Sequence, residues 1–339
     1  MLCGVVKWYK QEVNTLWMAN YTIFDKSEQV VGAAQCPDAD ELSGRSSLFF
    51  FTFIFVSTIN IFLSCAVIVG NTLIVWALRG ANSIHPSSRT LFYSLAGSDL
   101  CVGFVVQPFN IIHLVTSVTG DSALCLRTLP YLNVIGFALY GISLLTTSEI
   151  SVDRLLALRL KFRYRFVITL NRARFVVLLT WLASFAAGLT SLWSKATFTI
   201  LQIIGVFTCI AVSSTSYIWI HVMLRQRNKQ RRERQLAWEL PSFSATNSSG
   251  FNSVKYKKTV STALWVYCTL LLCSMPYMIV AALWAVFGGS EAILICHAFT
   301  LNLLYFNSAL NPLLYCWKIR DVRRGVKDIL SRLSCSPSH

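Results

Sequence analysis

The sequence predicts an all-α membrane protein: a bundle of seven transmembrane helices followed by an amphipathic helix on the membrane surface. Of its 339 residues, 55% are hydrophobic and only 13% are charged, whereas a soluble domain averages about 25% charged residues. A helix that crosses the ~30 Å core of a bilayer needs about 20 mostly apolar residues. Seven stretches meet this requirement, at 48–78, 89–115, 128–158, 174–194, 198–224, 259–287 and 292–317.

The residues after the seventh stretch alternate apolar and basic side chains at helical spacing. The apolar positions are Ile319, Val322, Val326, Ile329 and Leu330. Such a pattern is typical of a helix that lies in the membrane interface. The chain is therefore divided into an outer tail (1–46), the bundle (47–318), the surface helix (319–332) and a short tail (333–339). Palmitate on Cys335 would strengthen the anchoring of that helix, although a free thiol is the open alternative.

The distribution of positive charge predicts the orientation in the plasma membrane. The formal net charge is +15, and 24 of the 30 lysines and arginines lie in the connections 79–89 and 154–174, the loop 225–258 and the tail after Trp317. Cytoplasmic segments of membrane proteins carry this excess. We expect the N-terminus outside and the C-terminus inside, and we do not infer nucleic-acid binding. Asn20 begins an Asn-Tyr-Thr sequon in the outer tail, which predicts glycosylation there.

Short motifs occur in order, one in each predicted span. They are Gly70-Asn71, Asp99 in LAGSDL, Asp153-Arg154 in SVDRLLAL, Trp181, Tyr217, Pro276, and NSALNPLLY with Pro312 and Tyr315. With these motifs the chain resembles the rhodopsin-like (class A) G-protein-coupled receptors over about residues 48–332. The short connection between spans four and five, and Cys209 where most members have a proline, resemble the melanocortin, cannabinoid and adenosine branch or its melanocortin-like invertebrate relatives.

The resemblance implies a receptor, and not an enzyme, that transmits the binding of an extracellular ligand to a heterotrimeric G protein by outward movement of helix 6. Arrestin and a receptor kinase are further implied partners. The implied activation switch consists of Asn71, Asp153, Arg154, Tyr217, Pro276, Pro312 and Tyr315, in which Asp153 holds Arg154 at rest. The implied G-protein contacts are Arg154, Phe162, Lys257 and Lys258.

The resemblance also implies a sodium-type ion site within the bundle, formed by Asp99, Ser143, Asn307, Ser308 and Asn311. A carboxylate with hydroxyl and amide oxygens is the hard donor set that a small cation prefers. The alternatives, a protonated Asp99 or a hydrated polar cluster without an ion, remain open.

The sequence departs from the family pattern at several positions. In helix 6, Ser274 replaces the usual tryptophan and Leu270 the usual phenylalanine. Tyr305 occupies the position of the retinal-binding lysine, so covalent retinal is excluded, and Gly136 occupies the position of the amine-binding aspartate.

The usual bridging cysteine is also absent, and melanocortin-like relatives that lack it imply a Cys36–Cys296 disulfide, with Cys3–Cys125 as a second pair. Four residues lie near the outer mouth, as solvated rim residues or ligand anchors: His113, Asp121, Glu291 and His297.

Two other classes of membrane protein fit the sequence less well. A transporter or channel is expected to show inverted repeats or several charges along a path, but apart from Asp153 at the end of the third span only Asp99 and Glu149 are acidic within the spans. Glu149 itself is either a second acid for Arg154 or a polar contact to helix 4. An intramembrane enzyme would need a catalytic pair at membrane depth, and the sequence contains no Gly-x-Ser-x-Gly, His-Glu-x-x-His or paired-aspartate motif.

Overall fold

A computed structural model describes residues 36–81, 84–238, 253–288 and 290–334 of the chain. Its long elements are α1 (Ser47–Arg79), α2 (Pro86–Thr119), α3 (Ser122–Leu160), α4 (Leu170–Leu189), α5 (Lys195–Trp238), α6 (Ser253–Phe287), α7 (Glu291–Lys318) and α8 (Arg320–Ser334). Among these described residues, the seven helices α1 to α7 are long and apolar enough to cross a membrane. The predicted seven-helix membrane fold is confirmed.

Two helices extend beyond their predicted apolar spans. The fifth continues to Trp238, past the predicted end at 224, because its basic segment contains strong helix formers and neither glycine nor proline. The fourth begins at Leu170 and not at 174, because the Thr169 hydroxyl accepts a hydrogen bond from the Arg172 backbone N–H and caps the helix. Hydrophobicity alone therefore underestimates the length of helices that leave the bilayer.

Helix α3 occupies the centre of the bundle and packs against α2, α4, α5 and α6. Its polar side chains are consequently buried, including Ser143, Ser148 and Ser151. The contact with α4 is especially close at Gly188, where a Cβ atom would lie 2.7 Å from the backbone oxygen of Val134. This central position puts both ends of α3 in contact with the candidate sites.

Helix α2 contains a wider π-helical segment, Val102–Val106, in which the Gln107 N–H donates to the Val102 carbonyl oxygen. Pro108 explains the widening, because it has no N–H and its ring would clash with the carbonyl four residues earlier in a regular helix. The Ser64 hydroxyl of α1 donates to the Gly103 carbonyl oxygen at 2.8 Å. The segment separates the half of α2 that carries Asp99 from the half that carries His113.

Helix α8 packs partly on the bundle. Val322 is fully buried, and a Cβ atom at Gly325 would lie 3.1 Å from the Cα atom of Ala77 in α1. Ile319 and Val326 pack against the buried cluster of the bundle to which Ala77 and Val322 belong, whereas Leu330 is about half exposed. The amphipathic pattern therefore forms the predicted helix, and much of the apolar face of this helix contacts the bundle.

The predicted disulfide pairing is wrong. Cys36 is bonded to Cys125 at the start of α3, with 5.6 Å between their Cα atoms, and both are buried. Cys296 has an exposed side chain on α7 and forms no disulfide. Since Cys125 is already paired, the second predicted pair, Cys3–Cys125, is excluded in this structure; Cys3 itself lies outside the described residues. The bridge ties the segment before α1 to the N-terminal end of α3.

Candidate functional site

A cavity of about 270 Å³ lies between helices α1, α2, α3, α6 and α7. Aromatic and aliphatic side chains form most of its wall, and Tyr305 and Gly136 both line it. Its outer half contains His113 and His297, and the His297 ring lies 5.0 Å from the ring of Trp284. A concave, largely apolar cavity with a few polar groups is the usual form of a small-molecule site.

The other two predicted rim residues have structural partners. Asp121 accepts a hydrogen bond from the Leu124 N–H at 3.0 Å and caps α3. Glu291 accepts hydrogen bonds from the backbone and hydroxyl of Ser46 and thereby joins the starts of α1 and α7. Only the two histidines of the rim set face the cavity.

The predicted ion-site residues lie below the outer half of this cavity. Asp99 is fully buried, and the Asn311 Nδ2 donates to its Oδ2 at 2.8 Å. Among the residues described, no lysine or arginine forms an ion pair with it. The Ser143 hydroxyl lies 3.4 Å from that of Ser98, next to Asp99 in the chain. Ser143, Asn307 and Ser308 also line the lower end of the cavity.

Asn71 joins this polar cluster to α7. Its side-chain amide donates to the backbone oxygens of Val67 at 3.0 Å and Ser308 at 3.2 Å. The neighbouring Gly70 allows Pro312 to approach closely, since a Cβ atom at Gly70 would lie 3.1 Å from the proline Cγ. The structure therefore brings together the motif residues of helices α1, α2 and α7, as the resemblance implies.

The Asp153-Arg154 pair forms a buried network near the C-terminal end of α3. The Arg154 guanidinium forms an ion pair with Asp153 and also contacts the Ser88 hydroxyl of α2. Ser88 donates to Asp153 Oδ2 at 2.8 Å, and the Tyr164 hydroxyl donates to Asp153 Oδ1. A carboxylate with this many donors holds its arginine in one geometry. We call these four residues the latch cluster.

Two members of the latch cluster, Ser88 and Tyr164, were not predicted from the sequence. Both are buried, and Tyr164 begins a short helical turn directly after the connection that carries Phe162. The His85 ring packs on Tyr164 with centroids 5.0 Å apart, and burial lowers the His85 pKa from its usual value. His85 is therefore mainly neutral at pH 7 and adds little positive charge to compete with Arg154 for Asp153. The signal in the sequence that could have indicated Tyr164 was its position two residues after Phe162, a predicted G-protein contact.

The remaining switch residues lie on α5, α6 and α7. The Ser151 hydroxyl donates to the Tyr217 hydroxyl at 3.1 Å, and the Tyr217 ring lies 5.5 Å from that of Tyr267 in α6. Tyr315 is buried against Phe92, with the ring centroids 5.2 Å apart. Pro276 and Pro312 lie within α6 and α7. Their roles in activation stay predictions.

Residues of the other predicted surface sites are placed only in part. Phe162 is 83% exposed, as an inserting side chain requires. Lys257 and Lys258 lie in the first turns of α6, but their side chains are not among those described. Asn20 and Cys335 lie outside the described residues.

Glu149 contacts α4 through a hydrogen bond from the Thr180 hydroxyl. This contact favours the interpretation of Glu149 as a polar link between α3 and α4. The departures in helix 6 are also buried in the bundle: Leu270 packs against Tyr140, Leu144 and Cys209, and Ser274 is 4% exposed.

Comparison with known proteins identifies the family to which the chain belongs. Residues 70–199 and 189–315 match the model of the 7 transmembrane receptor (rhodopsin family). The chain belongs to this family, and it is therefore a multi-pass membrane protein and a G-protein-coupled receptor. The predicted receptor class is confirmed, and the transporter or channel alternative is not favoured.

Individual relatives narrow the resemblance to the adenosine branch. The chain is 26% identical to adenosine receptor A3 of Ovis aries over 307 residues, which cover 83% of this chain and 91% of the relative. It is 24% identical to adenosine receptor A2a of Cavia porcellus over 311 residues, covering 80% and 72% of the two chains. Adenosine receptor A2b of Gallus gallus is 23% identical over 310 residues, covering 79% and 86%. The predicted relation to this branch is confirmed at low identity.

Proposed function

We propose that the protein is a plasma-membrane receptor with its N-terminus outside, in which a small molecule bound in the cavity releases the latch cluster towards a heterotrimeric G protein. The observation that carries this proposal is the buried contact of Asp153 with Arg154, Ser88 and Tyr164. The excess of lysine and arginine after α3, α5 and α7 supports the orientation. The cavity and the latch cluster then face opposite sides of the membrane.

Release of Arg154 requires space at the cytoplasmic ends of α3 and α6. Pro276 removes one backbone hydrogen bond within α6 and provides a position where the lower half can bend outward. Tyr217 and Tyr315 are the partners proposed for the released arginine. Phe162, Lys257 and Lys258 would contact the G protein on the same side, and arrestin and a receptor kinase would bind there after activation. Glycosylation of Asn20 and palmitoylation of Cys335 fit this orientation.

Substitution of the two charged residues of the latch cluster tests the proposal. Arg154→Ala is expected to reach the cell surface, because Asp153 keeps its Ser88 and Tyr164 donors, but to abolish G-protein nucleotide exchange. Asp153→Asn is expected to raise basal exchange, since the arginine loses its charged partner. Exchange is measured in membranes at matched surface expression. Normal exchange by Arg154→Ala would contradict the proposed release mechanism.

We also propose that Asp99, with Ser143, Asn307, Ser308 and Asn311, binds a sodium ion that favours the resting state. A fully buried carboxylate without an ion pair is costly unless it is protonated or bound to a cation. Hydroxyl and amide oxygens suit a cation, and the lower end of the cavity gives it a path of entry. A site with higher affinity in one state shifts the equilibrium towards that state.

Thermal unfolding of the purified receptor tests the ion site without knowledge of the ligand. Sodium chloride is expected to raise Tm above the value in equimolar choline chloride, because a ligand of the native state stabilises it. Asp99→Asn is expected to remove this difference. Equal Tm values of the native receptor in the two salts would favour a protonated Asp99.

Adenosine is the reference ligand for the exchange assay, because the relatives described above are adenosine receptors. Adenosine is uncharged, and none of the described residues that line the cavity is an aspartate, glutamate, lysine or arginine. A concentration-dependent rise in exchange with adenosine would identify a nucleoside receptor. If adenosine does not raise exchange, the proposed coupling mechanism still rests on the contacts of the latch cluster.

A further inference from the structure

The cavity is deep because it joins the outer rim to the polar cluster in one space. Trp284 and His297 line its outer part, and Ser143, Asn307 and Ser308 line its inner end. Along α7, the ten residues from His297 to Asn307 correspond to ~15 Å at 1.5 Å per residue. Ser274, a small side chain, stands on α6 where the family resemblance implies a tryptophan roof over the polar cluster. A ligand in this cavity can therefore extend from the rim to the level of the ion site.

The charge of the cavity wall restricts the ligand. Among the 25 lining residues there is no aspartate, glutamate, lysine or arginine. An ionised ligand buried there would lose its hydration without gaining a charged partner, and that loss is large. Leucine and phenylalanine side chains such as Phe53, Leu132 and Leu301 line much of the cavity. The wall thus favours an uncharged molecule with an apolar body.

Unpaired polar atoms at both ends of the cavity indicate where the ligand carries its polar groups. At the outer end these are Asn110 Oδ1 and Trp284 Nε1, and at the inner end Asn307 Oδ1, none of which has a hydrogen-bond partner among the described residues. The three residues are 2%, 8% and 5% exposed, respectively. Buried polar atoms are almost always hydrogen-bonded, and leaving one unpaired is costly. A hydroxyl group suits both ends, because it can donate to an amide oxygen and accept from an indole N–H.

We propose that the cavity binds an uncharged, elongated apolar molecule with a hydroxyl or similar group at each end, of the lipid-diol or steroid-diol type. The proposal rests on the proposed function, in that the same cavity is the receptor's ligand site. Its outer group bonds to Asn110 and Trp284, and its inner group bonds to Asn307. Because Asn307 also belongs to the proposed ion site, the inner group and the sodium ion exclude each other or share this residue.

A matched series of linear probes tests the inference directly. Dodecanediol with a hydroxyl at each end, dodecanol, hydroxydodecanoate and aminododecanol differ only in their end groups. Their affinities are measured from the Tm shift of the full-length receptor in lipid nanodiscs, with adenosine as a compact comparator. One additional hydrogen bond is expected to make the diol bind about three- to tenfold more tightly than dodecanol, and both charged probes are expected to bind more weakly than the diol.

Variants with matched controls locate the two ends. Trp284→Phe and Asn307→Leu are each expected to reduce the advantage of the diol over dodecanol to less than about twofold, while dodecanol itself loses little affinity. Trp181→Phe removes an indole N–H that donates to Ser94 elsewhere in the bundle, and Asn302→Leu removes a buried amide of α7 that does not line the cavity. These two control variants are expected to retain the advantage.

The outcomes separate the ligand class from the receptor function. Equal affinity of the diol and dodecanol, tightest binding of a charged probe or of adenosine, or no binding of any linear probe would overturn the proposed ligand class. Each of these results leaves the receptor mechanism standing if basal nucleotide exchange still depends on Arg154. Conversely, selective diol binding that both cavity variants abolish supports the ligand class even if Arg154→Ala exchanges normally.

Discussion

Tyr164 offers a direct measure of how strongly the latch cluster holds the resting state. Tyr164→Phe removes only the hydroxyl that donates to Asp153, while the ring that packs on His85 remains. Tyr164 is 6% exposed, so water cannot easily replace the lost donor. A hydrogen bond to a charged group contributes about 1.5–3 kcal/mol. If the bond exists only at rest, its loss shifts the resting-to-active ratio by about 10- to 100-fold, since about 1.4 kcal/mol corresponds to a factor of ten.

The assay is basal nucleotide exchange by a heterotrimeric G protein on receptor reconstituted in nanodiscs. Tyr131→Phe is the matched control, because it removes a tyrosine hydroxyl from an exposed position of α3. Tyr164→Phe is expected to raise basal exchange, and the double variant with Asp153→Asn is expected to exceed Asp153→Asn alone by less than the single effect of Tyr164→Phe. Such non-additivity is the sign of a shared contact. Basal exchange equal to that of the native receptor would refute the view that Tyr164 holds Asp153 at rest.

Two further predictions concern stability. Gly188→Ala is expected to lower the free energy of unfolding by about 1–3 kcal/mol and to lower Tm, because the new Cβ would lie 2.7 Å from the Val134 backbone oxygen. Gly97→Ala, with no atom within 4 Å of its new Cβ, is expected to leave Tm unchanged or raise it. Equal effects of the two substitutions on Tm would contradict the packing argument. Cys36→Ser is expected to cost about 2–5 kcal/mol of stability, whereas Cys296→Ser is expected to cost none. Peptide mapping without reduction checks the pairing, and recovery of a Cys36–Cys296 peptide would contradict the structure.

The fold could be predicted because hydrophobic length and charged connections are properties of local sequence, whereas the motif residues were identified through the family resemblance. The partner of Cys36 could not be predicted in the same way, because it depends on where the segment before α1 lies relative to the start of α3. Tyr164 was missed for a similar reason: its contact with Asp153 forms only when the connection after α3 turns back beneath the bundle. The length of α5 depends on helix propensity beyond the membrane, which an analysis of apolar spans ignores.

The π-helical segment Val102–Val106 affects how α2 can accommodate insertions and deletions in evolution. A regular helix turns by about 100° per residue, and the wider turn takes up one extra residue between the half that carries Asp99 and the outer half. Loss of one residue at this point would restore a regular helix and leave Asn110 and His113 at nearly the same rotation relative to Asp99, because the wide turn covers with one more residue the angle of a regular turn. A single insertion or deletion at this segment can therefore be absorbed as the gain or loss of the wide turn, so that both the ligand-facing residues of α2 and the polar cluster below keep their positions.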